Sequence, residues 1–409
     1  MTRRVLERPG QGAPRRSFVL LLLICTLSTS GYAVLLSVVP LWVSRGGSGA
    51  FGSGASTGVF MLTTVLTQLA VPWLLRQFGH RVALGAGLLF LGGPTPLLAL
   101  SAELAPVLVL SGLRGVGFGL VTVASGALVA ELIPPAELGR STALFGLATG
   151  VPQLLLLPTG VGVVEHLGFT GVFVAAAVPL LGLPLLAPIR LARGGVARAA
   201  ERAVAPELAP DLAPDLVAGS AGAARRGGSV GPVVAMLGCA TAQGALVTFL
   251  PLAVTAPGTV VPIALLGTAS GAVLGRVVAG HLVDRRGWGG RLLVPGVLLA
   301  VVGMLAEVLV SRAPTLGGAV LLVAGAALVG FGFGLVQNDS LVAMFAAAGK
   351  ARYGRASAVW NIAYDAGTGA GAVGLGAVAE LFGFRVTFGV SAALLLLVLP
   401  LIGWCRRRS

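Results

Sequence analysis

Asp365 is a single carboxyl group in the middle of an apolar, Gly/Ala-rich run, YGRASAVWNIAYDAGTGAGAVGLGAVAELFGF, at 353–384. A helix rises 1.5 Å per residue, so this run can cross a hydrocarbon core of about 30 Å. A charge at that depth costs several kcal/mol unless it is paired or wetted, which makes intramembrane ionisable residues functional candidates. A buried acid can take up and release a proton. Asn361 lies one turn before Asp365 on nearly the same face, and Tyr364 and Trp360 accompany it. Three more charges lie in apolar runs: Arg114, Arg276 and Asp339. Counted from the ends of their runs, Arg114 is roughly 14 Å deep and Asp365 roughly 18 Å, while Arg276 and Asp339 are at about 11–12 Å. Asp339 closes a polar cluster, Gln337-Asn338-Asp339, that is dense for such a helix and can line a cavity. Proton exchange falls first to Asp365 and then to Asp339. Arg114, Asn361, Tyr364, Gln337 and Asn338 are the candidate ligand contacts. A second account pairs Arg276 with Asp339 or Asp365 only to neutralise charge. Glu307, near the end of its run, reads as an interfacial anchor.

The elements that position these residues are legible in the composition. Apolar residues make up 56% of the chain and charged residues 10%, with mean hydropathy +0.96. Such values exclude an ordinary soluble domain. The alternating ten-residue segments of a β-barrel are absent. Twelve helical spans are predicted, at 17–43, 54–75, 81–101, 105–131, 138–164, 169–189, 230–254, 259–283, 291–310, 316–346, 353–384 and 385–404. RRSFVLLLL at 15–23 superficially resembles an export signal, but the apolar run continues unbroken to Val43 and reads as an uncleaved first helix. Residues 1–16 form a basic arm, 17–189 a first six-helix bundle, 190–229 a linker, 230–404 a second bundle, and 405–409 a basic tail. The linker repeats APEL-APDL-APDL, and proline at every fourth residue forbids a regular helix there.

The net charge of +14 is a matter of topology and not of nucleic acid. With the amino terminus in the cytoplasm, 23 of the 28 Arg and Lys fall on the cytoplasmic side, three in outer loops and two in spans. That bias is the positive-inside rule. Both termini and the linker are therefore expected in the cytoplasm, with the bundle in the cell membrane.

The second half repeats the first. At an offset of 215, Gly139-Arg140 falls on Gly354-Arg355, Ala143 on Ala358, EHLGF at 165–169 on ELFGF at 380–384, and GLRGVGFGLV at 112–121 on ALVGFGFGLV at 327–336. An offset of 208 pairs Gly79 with Gly287 and Gln68 with Arg276. Two halves of the same orientation are related by an axis along the membrane normal, and proteins built this way rock about a midplane site.

Between spans eight and nine lies GHLVDRRG at 280–287. Gly280, Asp284, Arg285 and Gly287 give G-x-x-x-D-R-x-G, which resembles the inner-loop signature of the major facilitator superfamily. The resemblance implies an all-α fold of twelve transmembrane helices in two pseudo-twofold-related bundles. It also implies that Asp284 caps the positive end of a helix in the opposite half, which the repeat places near Arg140. The matching first-half loop departs from the pattern, with Pro72 at the first Gly position and Arg76 at the Asp position. In span four the family's Arg position is Ser111, with Arg114 nearly one turn further along the same face. Span five keeps Pro158, Gly160 and Gly162 of the antiporter-associated Gly/Pro pattern, with Leu157 replacing the preceding Gly.

Other chemistries find no support. GASTG at 54–58 satisfies G-x-S-x-G but has no strand before it, and GVGFG and GFGFG lack a βαβ unit and suit close helix packing. Cys25, Cys239 and Cys405 have no metal or redox spacing, and the three histidines fall in or beside loops. No phosphate-binding G-x-x-x-x-G-K-S/T is present, so ATP is not the direct energy source. No cofactor and no metal are expected. By resemblance, the function is secondary active transport of a small molecule by alternating access, with efflux coupled to proton entry, as in drug and metabolite antiporters. Import by proton symport and, remotely, an intramembrane enzyme are the alternatives. The expected partners are a small-molecule substrate, protons and the lipid bilayer, with no nucleic acid, for a monomer.

Overall fold

The computed structural model describes residues 12–133, 138–189, 223–254, 259–310, 316–348 and 353–408. Among them there is no strand. The helices are α1 (Gly12–Arg45), α2 (Gly49–Gly92), α3 (Leu104–Leu132), α4 (Leu138–Ala175), the one-turn α5 (Leu183–Leu186), α6 (Ala223–Ala253), α7 (Val260–Arg286), α8 (Leu293–Val310), α9 (Leu316–Ala348) and α10 (Tyr353–Arg408). Eight of these stretches are long and apolar enough to cross a membrane. On α2, Leu62, Leu66, Leu69 and Trp73 are all exposed. In water that apolar stripe would be costly, whereas lipid covers it at no loss.

Three helices are broken by a glycine. The backbone leaves helical geometry at Gly79 (φ 75°, ψ 168°), Gly168 (φ 67°, ψ 173°) and Gly383 (φ 79°, ψ 167°). That region of backbone space is essentially reserved for glycine. A Cβ at any of the three would meet nothing within 4 Å, so the backbone and not crowding demands Gly there. The 49- and 52-residue apolar stretches thereby become pairs of shorter rods. Gly168 and Gly383 are the glycines paired by the 215-residue repeat, and they share one geometry. α7 also ends on a left-handed glycine, Gly287 (φ 63°).

The repeated glycine motifs pack by the same rule. A Cβ on Gly115 would collide with the Phe60 carbonyl and one on Gly119 would crowd that of Thr64; on Gly330 and Gly334 it would strike the carbonyls of Thr268 and Ala272. Phe60 and Thr268, like Thr64 and Ala272, are 208 residues apart. The paired motifs thus close paired interfaces, α3 on α2 and α9 on α7, through small residues.

The apolar clusters divide along the chain. The largest draws its buried residues from α6 to α10, with Ala50 the exception. Two others, around Leu84 and Phe173, draw theirs from residues 18–189. α6 begins at Ala223, inside the stretch expected to be linker, and α1 at Gly12, inside the expected basic arm. The rest of both stretches, the APEL-APDL-APDL repeat included, lies outside the described residues.

Candidate functional site

Asp365 lies on the first rod of α10 and is 3% exposed. Its Oδ2 accepts a hydrogen bond of 2.8 Å from Nε2 of Gln68 on α2. Residues 297 positions apart are joined by this bond, which links the two halves of the chain. Gln68 Nε2 also reaches the Thr122 hydroxyl, at 3.5 Å. Beside the pair, Tyr32 on α1 lies close to Tyr364, Asp365 and Arg114. Tyr32 stacks on Phe118 with ring centroids 4.3 Å apart, and Tyr364 stacks on Trp360 at 6.2 Å.

Two adjoining cavities open next to this pair. The larger, about 670 Å³ including its open mouth, is lined from both halves: Thr57 and Gln153 from one, Gln243, Thr248, Arg276 and Tyr364 from the other. The smaller, about 270 Å³, is bounded by Tyr32, Ser56, Thr57, Phe60, Ser111 and Arg114. Leu36 and Thr57 border both. Arg114 is 4% exposed, with its guanidinium carbon 5.3 Å from the centre of the Phe60 ring. Both Arg114 and Arg276 bury an Nε with no hydrogen-bond partner. Polar groups in a mostly apolar concavity, drawn from several helices, are what a small-molecule site requires.

The structure brings together some of the expected residues and disperses others. Arg114, Arg276 and Tyr364 line the cavities, with Asp365 next to Tyr364 in sequence. The second account, in which Arg276 pairs with an acid, is not met among the described residues: Arg276 faces Tyr364, and Asp365 is bonded by Gln68. Asp339 is fully buried, and its carboxylate accepts the backbone N–H groups of Gly290 (2.7 Å) and Leu292 (2.8 Å) at the head of α8. Those amides belong to the turn that leads into the helix, so Asp339 is engaged in holding the entry to α8. Asn361 Nδ2 donates to Ser357 O on its own helix at 2.8 Å. Gln337 and Asn338 are not among the residues lining either cavity, and each buries an unpartnered polar atom. Glu307 is 2% exposed and sits beside Gly325, so it is a core residue and not an interfacial anchor.

Of the loop motif, Gly287 ends α7, with its amide returning to Val283 O at 3.0 Å. Asp284 and Arg285 are exposed, and a Cβ at Gly280 would meet nothing within 4 Å. Arg140 stands in the first turn of α4, and its side chain lies outside what is described. At the start of α2 a carboxylate seats on the helix amino terminus. Glu380 Oε2 accepts the amide of Ala50 at 2.7 Å and that of Phe51 at 3.3 Å.

Two of these residues carried a signal in the sequence. Gln68 is a polar side chain inside a span and the repeat partner of Arg276, and Glu380 is the acid of ELFGF. Tyr32 carried none that separates it from any other apolar-span tyrosine.

The family model described as Major Facilitator Superfamily matches residues 18–371. The chain belongs to that superfamily. Among solved structures, a bacterial homolog of the human lysosomal transporter Spinster, inward-facing and occupied, aligns with TM-score 0.78 at 14% identity, covering 98% of each chain. The same homolog in its inward-facing, unoccupied form gives TM-score 0.73 at 15% identity, again covering 98% of each. A mutant of the nucleoside transporter NupG gives TM-score 0.75 at 12% identity, over 95% of this chain and 99% of that one. No curated protein sequence matches at a significant level. At such identities the likeness is one of fold. Membership of the Major Facilitator Superfamily makes the chain a multi-pass membrane transporter and not an enzyme.

Proposed function

We propose that this chain is a proton-coupled secondary active transporter of a small molecule, working by alternating access, with Asp365 as the proton carrier. The observation that carries this is the Gln68–Asp365 bond across the two halves, next to a cleft that both halves line. An acid there can exchange a proton as the halves part and rejoin.

In this reading the glycine breaks divide the chain into twelve spans, and residues 17–189 and 230–404 are two six-helix bundles related by a pseudo-twofold axis. The matched glycine interfaces of the two halves support it. The arm, the linker 190–229 and the tail 405–409 face the cytoplasm, and the protein acts as a monomer in the cell membrane. Arg114, Arg276 and Tyr364 face the substrate, while Asn361, Gln337 and Asn338 shape the helices behind. Asp339 is reassigned from proton exchange to anchoring α8. Closure of the outer side rests on Glu380 seated on the start of α2. Closure of the inner side rests on Asp284 meeting the start of α4 at Arg140, with Gly280, Arg285 and Gly287 shaping the loop. An engaged Glu380 beside an exposed Asp284 fits an inward-facing state, the state named for both Spinster-homolog structures.

The direction favoured is efflux driven by proton entry. Import by symport would use the same parts, and the sign of the pH gradient that drives accumulation separates the two. The test is substrate flux in proteoliposomes with an imposed pH gradient, wild type against Asp365→Asn. The variant is expected to keep substrate binding and to lose the gradient dependence. Unchanged coupling would remove Asp365 from the mechanism.

A further inference from the structure

The repeat that pairs the two halves also pairs the surroundings of Asp365 with a second place in the cleft. An offset of 208 carries Gln68 to Arg276, and the offset of 215 carries Asp365 to Gly150. On one side of the molecule, Gln68 and Asp365 meet in a hydrogen bond. On the other, the donor has become a guanidinium and the carboxylate has become a hydrogen atom. Arg276 and Gly150 both line the larger cavity, and a Cβ built on Gly150 would meet nothing within 4 Å. α4 and α7 run beside one another here, with Gly162 near Pro262.

Arg276 makes no hydrogen bond or ion pair among the described residues, and its Nε is buried without a partner. Among the described residues, no acidic side chain lines either cavity. Arg114, in the adjoining cavity, is a second arginine whose Nε is buried without a partner. Gln153, one turn from Gly150, borders the cleft too, as do Thr248 and Thr368. An unpaired guanidinium at membrane depth is among the costliest groups a fold can carry, and such violations collect at functional sites. Its planar fork matches the two oxygens of a carboxylate or phosphate, a geometry that a point charge does not offer.

We propose that Arg276 and Gly150 bound an oxyanion subsite, and that the substrate is a small organic anion whose carboxylate or phosphate group takes the place that Asp365 holds opposite Gln68. This rests on the transport reading for the word substrate, though the subsite itself does not need it. The ligand supplies the counter-charge that the second half of the duplication lacks, and Gly150 leaves the room. Arg114 sits one cavity away and favours the same sign of charge.

The test uses the full chain purified in detergent and four probes of similar size: benzoate and phenyl phosphate as anions, benzamide as the neutral match, and benzamidine as the cation. The anions are expected to raise the melting temperature by about 3–5 °C near a hundredfold excess over Kd, and the other two to leave it unmoved. Arg276→Gln, which installs the residue found at the repeat position, is expected to weaken anion binding by about tenfold or more while raising the melting temperature of the empty protein. Gly150→Asp is expected to fill the subsite from within, stabilising the empty protein through Arg276 and abolishing the response to anions. Equal shifts from all four probes, zero included, would overturn the proposal. So would a Gly150→Asp variant less stable than Gly150→Asn, since the added charge would then find no partner. Anion stabilisation without any flux of the stabilising anion in proteoliposomes would sink the transport reading and leave the subsite standing.

Discussion

Asp339 and Asp365 are equally enclosed, at 0% and 3% exposure, and their depth in the sequence made both candidates for proton exchange. Their partners separate them. Asp365 is held by one side-chain amide from a distant helix, whereas Asp339 satisfies two backbone amides before α8. No property of QND as a string reveals this, because the partners lie 47 and 49 residues away, in a turn that only tertiary contact brings to Asp339. Replacing Asp339 with Ala removes the acceptor of one buried and one part-buried N–H group, at a cost of about 1–3 kcal/mol for the buried one and less for the other. Asp339→Ala is therefore expected to lower the melting temperature by several degrees while the fraction that remains folded keeps its pH-gradient dependence. Asp365→Asn should show the reverse, with little loss of stability and the gradient dependence gone. Thermal unfolding and proteoliposome flux measured on both variants check the pair; if Asp339→Ala abolished coupling at full stability, the assignment of Asp339 to α8 would fail. Arg114 and Tyr364, which line the cavities, could be singled out from the sequence because polar groups are rare in its apolar runs. Asn361 satisfied the same rule and turned back onto Ser357 of its own helix.

At the level of helices, much was visible in advance, since apolar run length fixes the spans and glycine marks where the long ones break. EHLGF and ELFGF gave the positions of two breaks, and their shared φ/ψ follows from the same glycine in the same local frame. What could not be read was which carboxylate meets which helix start. The sequence motif directed attention to Asp284, but the helix start whose amide bonds are described belongs to α2, and the acid on it is Glu380. Glu380 was legible only as one letter of a repeat. Its repeat partner, Glu165, is exposed and makes no such bond among the described residues. A carboxylate at a helix amino terminus contributes roughly 0.3–1 kcal/mol, and up to about 2 when partly buried. Glu380→Ala is accordingly expected to raise the outward-open population by about 2- to 30-fold. An impermeant thiol reagent applied from outside to Thr57→Cys, in a background without native cysteines, reads this as faster labelling. Labelling at the wild-type rate would show that Glu380 does not hold that side closed.

The whole molecule is a duplication that has kept its packing and diverged in its charges. The glycine contacts of α2 with α3 recur between α7 and α9, yet Gln68 became Arg276 and the Pro72/Arg76 loop lost the acid that its counterpart keeps at Asp284. The glycine contacts match because each half must bury the same small-residue faces, whereas under the proposed function the groups at the centre serve a site that a single copy would not contain. The apolar clusters agree, since nearly all of each is drawn from one half. The halves meet instead through a few polar bonds and close glycine contacts, such as Gly54 against Ala372, Gly58 against Val373 and Gly369 against Met61. That division makes a prediction about the covalent link. If each half holds its own core, a chain cut after Ala205 and co-expressed as two pieces should assemble, because the break removes no described contact. Linking two such pieces raises their effective concentration to the millimolar range, so cutting weakens assembly without changing the contacts. The two pieces are expected to co-purify from membranes on an affinity tag carried by one of them, and to show flux that Asp365→Asn in the second piece uncouples. If the separated pieces are degraded or purify apart, the halves do not fold as independent bundles, and the rocking of one against the other loses its structural basis.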